Sequence, residues 1–222
     1  MGVIGIVAAL TIPNLNASTN DAEKVAKLKK EYAVLNEALN RATAVYGPIG
    51  TWFVNDGDDY DKKDKRFADR ISEFLKLTKP VEKNDNDDYT FTLADGAVIS
   101  LYIYDSSVTT KYLPEPNILF GGFGVNLDGK SYKPGINYFE FSITDKGVIP
   151  NGFASKEACK ARGRSGCDSL ISDYVELTDG DFESAIDNNN GYDVTWWVIN
   201  MGNMDYLRCG DDLNWTTKTS CK

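Results

Sequence analysis

The chain has no histidine among its 222 residues. That absence removes Ser-His-Asp triads, Cys-His dyads, His-ligated zinc and histidine proton shuttles. Cations are also in short supply, with 24 Lys and Arg against 33 Asp and Glu, a formal charge of −9. Such a surface does not suit nucleic acid or an anionic bilayer, because both are bound through clustered cations. Nucleic acid is therefore not expected as the main partner. Cysteine is sparse and late: Cys159, Cys167, Cys209 and Cys221. Their C-x7-C and C-x11-C spacings are not the C-x2-C pairs of zinc or thioredoxin-like sites. What is present suffices for a core. Hydrophobic residues make up 42% and aromatics 12%, above what a disordered tail carries. The length suits one domain, or one with an appendage.

The first charged residue is Asp21, and residues 3–12 are apolar apart from Thr11. This run is too short to cross a bilayer, which takes about 20 apolar residues as a helix. Only Met1 and Gly2 precede it, so there is no basic region of a secretory signal. Ile6 stands where a myristoylation signal has Ser or Thr. The segment reads as the second half of a membrane helix whose first half is missing. From Asp21 the pattern changes. Val25, Leu28, Tyr32, Leu35, Leu39, Ala42 and Tyr46 recur at alternating spacings of 3 and 4, with Lys24, Lys27, Lys29, Lys30, Glu31, Asn36, Glu37 and Asn40 on the other faces. That is an amphipathic helix with one apolar stripe, ended by Gly47-Pro48. It either starts afresh at Asn20, capped with Glu23, or continues from the apolar run through Pro13.

An apolar stem, Ile4-Gly5-Ile6-Val7-Ala8-Ala9-Leu10-Thr11-Ile12-Pro13-Asn14-Leu15, feeds directly into Leu28-Lys29-Lys30-Glu31-Tyr32 and Leu35-Asn36-Glu37-Ala38-Leu39. These segments resemble the type IV pilin and type II secretion pseudopilin family, whose stems typically carry a run ending in Ile-Pro-Asn-Leu. Phe139-Glu140-Phe141, Pro150-Asn151-Gly152, Trp197-Val198-Ile199 and Gly202-Asn203-Met204-Asp205-Tyr206-Leu207 are similar to head segments of a pseudopilin-like branch. The resemblance implies a structural filament subunit and not an enzyme. Its stem (Ile4, Ile6, Val7, Leu10, Ile12, Pro13 and Leu15) would pack in the filament core, with the head displayed outside. It implies copies of itself or related subunits as partners, an inner-membrane assembly machinery, and the bacterial cell envelope or exterior as its location. The basic leader, Gly-Phe-type junction and stem glutamate of the family are not in this sequence, so peptidase processing and N-methylation attach to no residue of it.

The rest of the chain alternates. Residues 89–93 and 98–104 flank Ala94-Asp95-Gly96, and Asp-Gly between alternating runs is a strong hairpin signal. Residues 118–125 read as a strand before the turn at Asn126-Leu127-Asp128-Gly129. Phe139, Phe141 and Ile143 alternate with Glu140, Ser142 and Thr144, and Asp145-Lys146-Gly147 turns the chain into Val148-Ile149. Phe67, Ile71, Phe74 and Leu75 suggest a short helix ended by Lys79-Pro80. The expected fold is α+β, a long N-terminal helix packed on an antiparallel sheet head, pilin-like by the resemblance. Residues 1–46 form the stem helix, with 1–16 the residual membrane or filament-core part and 20–46 the amphipathic part. Residues 47–222 form the head. Val25, Leu28, Tyr32, Leu35 and Leu39 are the expected seam between the two.

Four cysteines allow three connectivities. The local pairs Cys159–Cys167 and Cys209–Cys221 are preferred, because each brackets a loop of small or polar residues with little apolar side chain to hold it. Pilin-like heads also often close a C-terminal loop this way. Sequence leaves the other two connectivities, and four reduced thiols, open. Asp187, Asn189 and Asp193 place oxygen side chains at alternating positions, a loop shape that calcium accepts. Some pseudopilins bind calcium in this region, although a solvated Asn/Asp/Gly turn is the preferred reading. No other cofactor is expected. Gly121-Gly122-Phe123-Gly124 lacks the Lys-Ser/Thr of a phosphate loop and reads as a tight bend or bulge. Trp196-Trp197 could stack on sugar or anchor a partner, but reads as half core and half surface. The alternative to the filament subunit is a secreted or membrane-anchored binding module for carbohydrate or protein, or a hydrolase with a site that no motif selects.

Overall fold

The computed structural model describes residues 3–53, 60–110, 117–130, 132–145, 147–151, 194–214 and 217–221, with backbone alone at 3–18, 53, 60–61, 104–110 and 117–119. One helix, α1, runs Val3–Tyr46 without a break. It passes through Pro13, so no separate start capped by Asn20 and Glu23 forms. At its end Gly47 takes φ 82° and returns its N–H to the Thr43 carbonyl at 2.9 Å. Glycine tolerates this left-handed position, and Pro48 cannot extend the ladder. No helix among the described residues is long and apolar enough to cross a membrane.

A 3-10 turn at Ile49–Phe53 leads to α2, Tyr60–Ser72. The helix expected to reach Lys79-Pro80 ends earlier. Phe74 and Leu75 donate three residues back, to Ile71 and Ser72, and Leu77 is drawn into a bridge with Leu93. Six strands follow: β1 Glu82–Lys83, β2 Tyr89–Thr92, β3 Val98–Thr110, β4 Asn117–Asn126, β5 Tyr138–Thr144 and β6 Gly147–Pro150. They form one antiparallel sheet in sequence order. Two short helices close the described chain, α3 at Thr195–Met201 and α4 at Tyr206–Cys209. The fold class is α+β.

Alternation along the strands decides what α1 meets. Phe91, Ile99, Leu101, Phe123, Val125, Phe139, Phe141 and Ile143 point to one face and are buried. Val25, Leu28, Leu35, Ala38, Leu39 and Ala42 of α1 are buried in the same core, with Tyr32 half-buried and stacked on Phe141 at 5.3 Å. Asn36 ties the helix to the sheet, its Oδ1 accepting the Val148 N–H at 3.2 Å. Trp52 fills the corner between α1 and α2 against Phe67, and Arg70 lies over its ring.

Two expectations are corrected here. Gly121, Gly122 and Gly124 do not form a bend. They are strand residues of β4 paired with both neighbours, and only the bulge half of the expectation holds: the register shifts between Leu119 and Gly121 against β5 and between Ile103 and Val108 against β3, so Gly121 borders both irregularities. A Cβ on Gly122 would lie 2.1 Å from the Tyr102 hydroxyl, and one on Gly124 1.9 Å from that of Tyr138. The glycines are there because tyrosines of the adjacent strands lie across them. Trp196 and Trp197 are not half exposed but buried, at 3% and 0%, which leaves no ring face for a sugar.

Candidate functional site

The densest polar contacts lie where α1 meets one end of the sheet. The Ala94-Asp95-Gly96 turn between β2 and β3 rests on α1, and the 127–137 connection between β4 and β5 lies beside it. The two turns touch: Gly129, at φ 63°, has no room for a Cβ, which would sit 2.9 Å from the Gly96 carbonyl oxygen.

Asp95 is the hub. Its Oδ1 accepts the Ala97 N–H at 3.1 Å, its Oδ2 accepts Lys30 Nζ at 2.6 Å, and its carbonyl accepts Lys27 Nζ at 2.9 Å. Lys30 also donates to Glu31 Oε1 at 3.1 Å. The Glu31 side chain has no exposed surface, and no donor reaches its Oε2. A buried carboxylate without water is costly to ionise. Burial above all, reinforced by the negative Asp95 beside it, pushes Glu31 up to about 7, with Lys30 opposing. Asp95 shifts the other way. Burial works against its charge, but hydrogen bonds from Glu31, Lys30 and the Ala97 N–H, with the charge of Lys27, hold it below the usual carboxylate range. Glu31 therefore keeps its proton to a higher pH than an ordinary carboxyl does, while Asp95 stays ionised.

Next to this pair opens a groove of about 580 Å³ that includes Asn20, Glu23, Lys24, Lys27, Lys130 and Lys133 in its wall. Asp128 is used internally. It accepts the Lys130 N–H at 2.9 Å and both Asn137 amide contacts, at 3.1 and 3.2 Å. Despite the burial cost, these bonds lower its pKa. The far side is closed by α4: Arg208 is paired with both Asp21 and Asp205, and the Tyr206 hydroxyl donates to the Gly135 carbonyl at 2.6 Å. A disulfide between Cys209 and Cys221 staples the segment after α4, with the Cys221 N–H on Asp205 Oδ2 at 2.7 Å.

Of the residues singled out from sequence, Val25, Leu28, Leu35 and Leu39 lie in the core under the sheet. Ile4, Ile6, Val7, Leu10, Ile12, Pro13 and Leu15 are on the first part of α1. Cys159, Cys167, Asp187, Asn189 and Asp193 lie outside the described residues. Glu31 is the correction: read as a surface position, it is fully buried. The available signal was its place three residues after Leu28 and four before Leu35, inside the stripe itself. The pairing with Asp95 had no local signal.

The junction of α1 with the β2–β3 turn and the β4–β5 connection lies within the part of the chain that a known family covers. The chain belongs to the family of unknown function DUF6613, whose profile matches residues 14–146. No curated protein and no solved structure matches the chain.

Proposed function

We propose that the chain is a structural subunit of a type IV pilus-like or type II secretion pseudopilus filament, with its stem helix in the filament core and its head outside. The observation that carries this reading is the length of α1. Its 44 residues extend about 66 Å at about 1.5 Å per residue. The seven residues of β5 extend only about 24 Å at about 3.4 Å each. The helix therefore outruns the sheet it packs on, and among the residues whose side chains are described its buried stripe runs from Asp21 and Val25 onward. The uncharged segment ahead of Asp21 suits burial among neighbouring stems. The Cys209–Cys221 disulfide fits an oxidising location outside the cytoplasm. Partners in this reading are further copies or related subunits and an inner-membrane assembly machinery. Catalysis has no part in it.

The test is made in native cells. Antibody to the chain should label sheared surface filaments or the membrane fraction, and deletion of its gene should change filament number or secretion. Recovery of the chain only as a free soluble monomer, with filaments and secretion intact in the deletion strain, would sink the reading.

A further inference from the structure

The groove at the helix–sheet junction is a concentration of cations on a chain of net charge −9. Lys24, Lys27, Lys130 and Lys133 line it. Two of its three carboxylates are already engaged, Asp95 by Lys30 and the Ala97 N–H, Asp128 by Asn137 and the Lys130 N–H. Since Lys27 is paired with Asp95 and Lys24 with Asp21, the cations the groove offers are Lys130 and Lys133. Lys130 and Lys133 are exposed, and Lys133 has no ion-pair partner among the described residues. The opposite charge is collected elsewhere. The β1–β2 turn brings together Glu82, Asp85, Asp87 and Asp88 against Lys83 alone, and the Asp87 side chain is 92% exposed.

The topology sets the two patches at opposite ends of β2. Strand β2 leads from the acidic turn at one end to the Asp95-Gly96 turn of the groove at the other. Its four residues alone separate them by about 13 Å at about 3.3 Å each. The helix runs the same way. Lys27 and Lys30 meet Asp95 at the groove end, while Asn36 meets Val148 at the end that carries the acidic turn. The stem therefore leaves the head beside the groove, and the acidic turn faces away from the stem.

We propose that this groove receives the acidic β1–β2 turn of a second copy of the chain, a head-to-tail contact along the direction of α1. The inference rests on the filament reading for its biological setting, but its contact can be measured separately. Two different complementary patches make a heterologous contact, which leaves one groove and one turn free at the ends and so propagates instead of closing. Copies that each carry −9 repel one another at long range, and local charge complementarity then sets the register of approach.

The experiment uses the full chain in a nonionic detergent at low salt, with sedimentation reporting self-association. Three samples are compared with wild type: Lys130→Glu with Lys133→Glu, Asp85→Lys with Asp87→Lys, and an equimolar mixture of these two variants. Each variant alone should associate at least about tenfold more weakly, since attraction becomes repulsion at two sites. The mixture should restore association, because a reversed groove meets a reversed turn. Carbodiimide coupling of wild type should join Lys130 or Lys133 to Asp85 or Asp87, a crosslink that the opposite-end placement makes intermolecular. Thermal melts identical to wild type confirm that the exposed substitutions leave the fold intact. A chain that stays monomeric, an association indifferent to both reversals, or a mixture of folded variants that does not recover would each overturn the proposal. Loss with the groove variant alone would assign the groove to another anion, such as an acidic polysaccharide, and overturn it as well. Restored pairing in this assay, with no filaments in cells, would sink the filament reading and leave the groove contact standing.

Discussion

Glutamine in place of Glu31 keeps the shape of the side chain and removes its titration. In the native chain, Glu31 is raised from its ordinary 4.5 to about 7 by burial and by Asp95. The folded state therefore holds a proton that the unfolded chain has released. Between those two pH values the unfolded state binds fewer protons, so stability must fall as pH rises through the window. At about 1.4 kcal/mol per pKa unit, the full loss is about 3 kcal/mol, taken as an upper bound because Glu31 and Asp95 titrate together. The contribution of Asp95 has the opposite sign, since its lowered pKa gives stability that is lost only at more acid pH. The groups facing Glu31 are Lys30 from its own helix and Asp95 from the β2–β3 turn, with Lys27 on the far side of Asp95. Lys30, raised above its ordinary value chiefly by its hydrogen bond to Asp95, remains charged throughout the window. The window is otherwise quiet because the chain has no histidine. The assay is a thermal melt of wild type and Glu31→Gln at pH 5 and pH 8. Glutamine can accept from Lys30 as Glu31 does and, like the protonated acid, brings no charge next to Asp95, so the two proteins should melt together at pH 5. At pH 8 the variant should be the more stable by up to about 3 kcal/mol, a shift on the order of 5–10 °C for a domain of this size. Equal slopes for both proteins, or a wild type more stable at pH 8 than at pH 5, would refute the reasoning.

Other perturbations have clear expected outcomes. Leu35→Ala empties a fully buried position under the sheet and should cost about 2–5 kcal/mol in denaturant unfolding, while Leu35→Asp should leave no folded head. Cys209→Ser with Cys221→Ser opens the C-terminal staple; loop-closure entropy puts its loss near roughly 3 kcal/mol, read as a lower midpoint in chemical denaturation. Gly124→Ala drives a methyl group into the Tyr138 hydroxyl and the Ser100 side chain and should cost about 1–3 kcal/mol, with Tyr138→Phe in the same chain recovering part of it.

How much of this was legible depended on whether the deciding contact was local. The stripe from Val25 to Ala42 repeats every helical turn, and the helix sits on it. Asp95-Gly96 between two alternating runs gave the hairpin, because turn geometry is decided by the few residues in the turn. Gly122 and Gly124 were misread because the reason for them is two rings on neighbouring strands, Tyr102 and Tyr138, that no reading of the run itself contains. Helix α2 stopped at Ser72 because Leu77 had a partner in Leu93, again beyond the local pattern. The two-residue strand β1 gave no alternation to read at all. Glu31 was the most instructive. A search for apolar letters passes over a polar one in the stripe, although the spacing from Leu28 and Leu35 placed it there.

A leucine at position 31 would fit the stripe and bury apolar surface at about 25 cal/mol per Å², whereas a buried ion pair often contributes little net stability. The charge has a different consequence. Apart from Tyr32 on Phe141, the rest of the seam is Val, Leu and Ala at spacings of mostly 3 and 4, a surface that looks nearly the same after a slide of one helical turn. Apolar packing is non-directional and discriminates weakly between such registers. Two polar contacts do discriminate. Lys30, which also holds Glu31, reaches Asp95 at one end of the sheet, and Asn36 reaches the Val148 N–H at the other. A slide of about 5.4 Å, one helical turn, would strand a buried carboxyl at one end and an unpaired strand N–H at the other. The helix is therefore held at both ends of its footprint by groups whose hydrogen bonds have a single address. That fixes where along α1 the head sits, and in the filament we propose, that position would determine the spacing of the heads.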